Sequence, residues 1–178
     1  IQNKIMNICL PSQFIVLENI ASTNVYAMEN FDTLADGSVV FAENQTAGKG
    51  RLGRKWHSPK GGIYASFILK KYPFSPVYAA FAICLAGLKT MKTLAPSLDL
   101  RIKLPNDIIC ENRKIGGTLC EIRKSSAGEG GIAAGIGLNI NSTESDLLEA
   151  GCPASSLFTL TGKEYPIDNA RTILAQNA

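Results

Sequence analysis

The chain has 178 residues, 46% hydrophobic and 19% charged, which suits one globular domain with a real core and excludes disordered and fibrous classes. A net charge of +3 is too small to argue for nucleic-acid binding by itself. The five cysteines (Cys9, Cys84, Cys110, Cys120, Cys152) are odd in number and hold no Cys-x-x-Cys pair, so they support neither a disulfide framework nor a zinc site and read as small buried thiols.

Phe14 to Leu17 reads as a strand. Ser22-Thr23-Asn24 offers capping side chains for a helix running to Leu34, with Gly37 just beyond it. Ser38 to Glu43 is a second strand. Asn44 to Gly62 is a long loop, rich in glycine and cations, of the kind that is functional or mobile in compact domains. Between Lys49 and Lys60 it carries five basic residues and no acidic one, which favours an anionic ligand. Ile63 to Leu69 is a strand, and Pro76 to Leu94 is the strongest helix, bounded by Pro96. Short strands follow at Leu100 to Leu104, Ile108 to Cys110, Ile115 to Arg123 and Ile132 to Leu138. Asp168 to Gln176 closes the chain as a helix, and Ser125 to Gly131 reads as a flexible hairpin loop. Adjacent strands with short turns predict an α+β domain on a mixed, largely antiparallel central sheet. There is one domain and no internal repeat.

His57 is the only histidine, which argues against a histidine-based triad or metal centre. No run of 18 apolar residues exists, and Ile1 to Phe14 lacks the apolar core of a secretory signal. A cytoplasmic setting and no membrane association are the expectation.

Three stretches carry chemistry. Gly48-Lys49-Gly50-Arg51-Leu52-Gly53-Arg54-Lys55-Trp56 matches a dinucleotide fingerprint by pattern alone. However, its third glycine opens a polar stretch with Pro59, where that fingerprint needs an apolar helix. The loop is either a phosphate wrap, with glycines admitting backbone N–H groups and arginines adding forked donors, or a solvated basic surface. Lys103-Leu104-Pro105-Asn106-Asp107 reads as a turn. In Arg113-Lys114-Ile115-Gly116-Gly117, the first two residues read either as a hairpin tip or as a strand's start, where the lysine can be held pointing into a site. The two glycines mark close approach of a ligand or a bulge. Gly135-Ile136-Gly137-Leu138-Asn139 is a strand whose glycines mark a packed ligand or a packed neighbour.

In order and spacing, these stretches together with Ser22-Thr23-Asn24 and Gln45-Thr46-Ala47 resemble the biotin–protein ligase family, from about residue 14 to the end. The resemblance implies a class II synthetase-like core with helices packed on one side of the sheet. It also implies an ATP-dependent ligase that makes biotinyl-adenylate and transfers biotin to a lysine of a carboxylase's biotin carboxyl carrier domain. Carried over by residue, Ser22, Thr23, Asn24, Gln45, Gly50, Arg51 and Lys114 are biotin-side positions. Lys49, Arg51, Arg54, Trp56, Asn106, Asp107 and Asn139 are ATP- or adenylate-side positions. Lys114, Arg51 and Arg54 are the catalytic ones, and Asp107 is the candidate metal position. The implied substrates are ATP and biotin, with Mg²⁺.

Leu104 stands where the family usually has tryptophan, and Lys49 where arginine is frequent. The resemblance leaves room for a homodimer. Members of the family usually carry a small C-terminal β-barrel domain; the expectation for this sequence is that it lacks one and also lacks an N-terminal winged helix-turn-helix, hence no DNA partner. The rival readings are a lipoate–protein ligase, which shares the fold and the acyl-adenylate logic, and a non-catalytic nucleotide-binding module.

Overall fold

The computed structural model describes residues 11–70, 75–123 and 130–178. The hairpin loop expected at Ser125 to Gly131 falls largely, and Cys9 wholly, outside the described residues. Within them the chain folds as a mixed seven-stranded sheet of order β1-β2-β3-β7-β6-β5-β4. The strands are β1 (Phe14–Ile20), β2 (Val39–Gln45), β3 (Ile63–Leu69), β4 (Arg101–Lys103), β5 (Asp107–Cys110), β6 (Arg113–Arg123) and β7 (Gly131–Leu138). Only β1 and β2 run parallel; every other pairing is antiparallel. The helices are α1 (Thr23–Glu29), α2 (Pro76–Leu94), α3 (Glu144–Leu148), α4 (Leu157–Thr161) and α5 (Ile167–Asn177).

The α+β class and the largely antiparallel sheet are as expected, but the helices do not share one side. α2 and α5 cover the face carrying Val39, Phe41, Ala65, Ala134 and Ile136. α1 sits on the other face, over Val40, Ile68 and Ala133. Consecutive strand residues point to opposite faces, so β7 can feed both cores, and every one of its residues is buried. α1 is too short to cover its face. The uncovered part of that face is where the cavity described below forms.

α2 begins as its sequence predicts. The Ser75 side chain accepts from Val77 N–H and Pro76 occupies the first turn. The helix is long and apolar enough to cross a bilayer by length and composition. It nonetheless buries Ala79, Ile83, Ala86, Gly87 and Met91 as one face of a protein core. α1 departs from expectation twice. It ends at Glu29 rather than Leu34, where the Asn30 backbone and side chain both donate to the Tyr26 carbonyl. Ser22 occupies the cap position without a capping side-chain hydrogen bond. α3 and α4 were not expected, although each starts on a side-chain capping box, from Thr143 and from Ser156. Cys84 and Cys110 are buried as expected, whereas Cys120 is half-buried and Cys152 exposed. Burial pushes the Cys84 thiol up to about 11 and the Cys120 thiol to about 12.

Leu174 is fully buried where α5 meets the main core, while Leu148 on α3 is 85% exposed. Leu174→Ala is expected to cost about 2–5 kcal/mol by urea denaturation. Leu148→Ala is expected to cost no more than about 0.5 kcal/mol.

Candidate functional site

A cavity of about 620 Å³ opens on the α1 side of the sheet. All thirteen site residues expected from the sequence line it, although they lie far apart along the chain, from Ser22 to Asn139. The cavity has two chemically different ends.

Charge gathers at one end. The Lys114 ammonium is 2.7 Å from Asp107 Oδ1 and 5.1 Å from the centre of the Trp56 ring, over its face. Both charged side chains are roughly one-quarter exposed, so the pair is screened less than a surface pair. A local irregularity explains how a lysine at a strand's start reaches this position. On β6, Gly116 and Thr118 face α2: a Cβ on Gly116 would meet Ile108 and Leu138, and Thr118 Oγ1 donates to the Ala80 carbonyl. A regular pleat would aim Lys114 the same way. The β5–β6 register shifts instead, with Ile108 opposite Gly116 but Ile109 opposite Lys114. The extra residue, Ile115, is a bulge that returns Lys114 to the cavity face, beside Asp107. The Lys114 backbone is held on its far side, donating to the Pro153 carbonyl and accepting from Ser155 N–H. Asn139 supports that segment by donating from Nδ2 to the Ser155 carbonyl.

The basic loop folds over this end as an internally bonded hairpin. Lys49 bridges Lys55, Gly50 N–H donates to the Arg54 carbonyl, and Trp56 N–H donates to the Gly48 carbonyl. Its tip, Arg51–Gly53, turns through left-handed Leu52 and Gly53. Arg51 Nη1 donates to Asn106 Oδ1 at 2.8 Å, and Asn106 Nδ2 donates to the Thr118 carbonyl, tying the loop to the turn before β5. The Arg54 and Lys55 side chains have no ion pair among the described residues. Trp56 lies against Gly137, where any Cβ would collide with the indole, and its Nε1–H is buried without a partner. The Gly135–Gly137 pattern therefore provides a floor flat enough for an aromatic ring.

The other end is neutral and polar. Gln45 Oε1 accepts from Thr23 N–H at 2.8 Å, and Gln45 Nε2 donates to Ser58 Oγ. Ser66 Oγ donates to Asn24 Oδ1 and lies 2.8 Å from Thr23 Oγ1. Ser22, Thr23 and Asn24 are all buried.

Sequence reasoning missed the third wall. His57 Nδ1 is 3.4 Å from Glu149 Oε2, linking the basic loop to the segment after α3. Asp146, also on the cavity, is held below the usual carboxylate range by hydrogen bonds from the Thr143 side chain and backbone. The Thr143-x-x-Asp146 capping signal was legible; its place beside the cavity was not. Among the described residues no group of three His, Cys, Asp or Glu side chains could hold a metal.

A mixed sheet bearing a glycine floor, a basic hairpin over a lysine–aspartate pair and a neutral polar end defines a small-molecule site with an anion-binding half. Comparison with known proteins makes the assignment narrower. Residues 16–141 match the model of the Biotin/lipoate A/B protein ligase family, and the chain belongs to that family. It is 34% identical over 128 residues to the bifunctional ligase/repressor BirA of Escherichia coli, covering 70% of this chain and 40% of that protein. It is 35% identical over 163 residues to BirA of Bacillus spizizenii, covering 86% and 48%. The chain thus spans less than half the length of either relative. The solved structure of biotin protein ligase from Aquifex aeolicus in complex with biotin and ATP superposes with a TM-score of 0.78 at 29% identity. That match covers 93% of this chain and 68% of the other.

Trp56 is the only tryptophan, so its fluorescence reports this site alone. Gly137→Ala is expected to displace the indole from the floor and shift its emission to longer wavelength, with the far-ultraviolet circular dichroism unchanged. Superimposable emission spectra would show that the ring does not depend on Gly137.

Proposed function

We propose that this chain is the catalytic domain of a biotin–protein ligase, activating biotin with ATP and passing it to a lysine of a carboxylase carrier domain. The observation that carries the reading is the division of one cavity into a neutral hydrogen-bonding end and a cationic end. Lys114 stands over Trp56 in the cationic end. A ring with polar edges suits the first end, and a carboxylate meeting a nucleotide phosphate suits the second. The Aquifex protein with biotin and ATP bound supports the same pairing of substrates.

In the first step a carboxylate oxygen of biotin attacks the α-phosphorus of ATP. The bond from that phosphorus to the bridging oxygen breaks, and pyrophosphate leaves with the electron pair. In the second step the neutral amine of the carrier lysine attacks the acyl carbon. The carbon–oxygen bond to AMP breaks, AMP leaves, and the attacking nitrogen releases a proton. Both steps concentrate negative charge, so the protein's task is positioning and electrostatic stabilisation rather than covalent catalysis. Lys114 bridges the carboxylate and the α-phosphate, exchanging its contact with Asp107 for the substrates. Arg51 and Arg54 offset phosphate charge from the loop, and Trp56 with the glycine floor flanks the nucleotide. Asp107, whose Oδ1 is buried on the cavity with the Lys114 ion pair but no hydrogen-bond partner, would supply a carboxylate to a nucleotide-bound magnesium ion, and the ion would neutralise phosphate charge. A cytoplasmic setting is part of the proposal, supported by the free thiols of Cys84, Cys110, Cys120 and Cys152.

Incubation with biotin, ATP, Mg²⁺ and a biotin carrier domain should give carrier that streptavidin detects. ATP–pyrophosphate exchange should depend on biotin; exchange driven by lipoate instead would favour a lipoate ligase. Lys114→Ala should lose about a hundredfold or more in exchange, on the order of 3 kcal/mol of transition-state stabilisation. Lys114→Arg should not restore it, because a planar fork cannot occupy the place of a compact ammonium. Lys163→Ala, an exposed lysine remote from the cavity, is the control. Near-normal exchange by folded Lys114→Ala would remove the central residue from the mechanism.

A further inference from the structure

The neutral end of the cavity contains a side-chain amide whose orientation is set by two acceptors on β6, one of them away from the cavity. Asn24 Nδ2 donates to the Leu119 carbonyl at 3.1 Å and to Glu121 Oε2 at 2.8 Å. A primary amide has two N–H donors, and both are taken by groups that only accept. Flipping the amide would turn its oxygen against a carbonyl and a carboxylate. Asn24 must therefore present oxygen, not nitrogen, on its other side. There Oδ1 accepts from Ser66 Oγ, leaving one lone pair unspent. Gly135 lies opposite, and any Cβ there would collide with Oδ1, so the glycine lets that oxygen lie against the strand on the cavity floor. Glu121 itself is half-buried on β6, on the same face as Gly117 and Leu119 and two residues beyond the latter; it does not line the cavity.

We infer that Glu121 is a positioning residue for substrate selection: by fixing the Asn24 amide, it makes this end of the pocket an acceptor that takes a ligand N–H. The inference rests on the proposed ligase reading and deepens it. A cyclic urea carries ring N–H donors, whereas a dithiolane ring carries none. Glu121 therefore favours the ureido ring of biotin over the sulfur ring of lipoate, through Asn24 rather than by touching either. Glu121→Leu leaves one amide N–H without its acceptor. Only the Leu119 carbonyl and the Ser66 hydroxyl then hold the amide, and that weaker hold lets it turn part of the time and offer a donor, which repels a ureido N–H.

The test is ATP–pyrophosphate exchange by the wild-type chain, Glu121→Leu and Glu121→Gln, with biotin or lipoate as the acid. Thermal unfolding is followed in parallel. In Glu121→Leu, KM for biotin should rise tenfold or more, while kcat and KM for ATP stay within about twofold, the pattern of lost ground-state binding. Activity with lipoate, weak in the wild type, should not fall, so the preference for biotin narrows. Glu121→Gln retains an acceptor oxygen and should keep KM for biotin within about threefold of wild type. A role confined to holding α1 on the sheet would lower the unfolding temperature and leave the KM ratio unmoved. If Glu121→Leu is too unstable to assay, Glu121→Met of similar length takes its place. Exchange by the wild type with unchanged KM for biotin in the apolar variant overturns this inference alone. Absence of biotin-dependent exchange in the wild type overturns the ligase reading and this inference with it.

Discussion

The site depends on one extra residue in a strand. Ile115 has no partner across the β5–β6 ladder, and that bulge sends Lys114 to the cavity face while Gly116 and Thr118 still face α2. Without it the ammonium would enter the apolar core beneath α2, where an unpaired charge is prohibitively costly. With it, Lys114 reaches Asp107 at 2.7 Å and the Trp56 ring. The bulge is braced from two sides, by β5 and by the Pro153 to Ser155 segment bonded to the Lys114 backbone. A lysine with a packed strand on one side and a bonded segment on the other has little freedom to leave the site.

The rest of the cavity follows from leaving one sheet face partly uncovered. α2 and α5 close the opposite face with a continuous apolar core, so the sheet does not need α1 to be long. The gap is bounded by the basic hairpin, the polar cluster around Thr23 and Asn24, and the segment after α3. Its floor is made of glycines because both an indole and an amide oxygen lie against the strand. The two ends follow different electrostatic logic. Charge at the Lys114 end is paired or open to an arriving anion. Polarity at the Asn24 end is committed to a fixed arrangement of donors and acceptors.

Much of this was legible in the sequence. The α2 span from Pro76 to Leu94 is plain in the sequence, since a long apolar period with Pro at each boundary carries its own signal. The thirteen site residues were legible through a resemblance spread over several short stretches, and the cavity gathers all of them. Ser22 illustrates the limit. Its residue type suits a helix cap and it holds that position in the backbone, yet its side chain makes no capping bond and lines the cavity instead. α3 and α4, of five residues each, were too short for periodicity to reveal.

The sequence by itself determined the elements and the chemical character of the loop, because propensity, periodicity and glycine–cation content act within a few residues. It also determined which side chains carry charge. Tertiary structure alone decided where those side chains point. The direction of Lys114 depends on register against β5, the hold on Asn24 comes from Glu121 on β6, and the face taken by α1 depends on which side α2 has already closed. A strand residue's facing is a property of its pairing, so it cannot be read until the partner strand is in place.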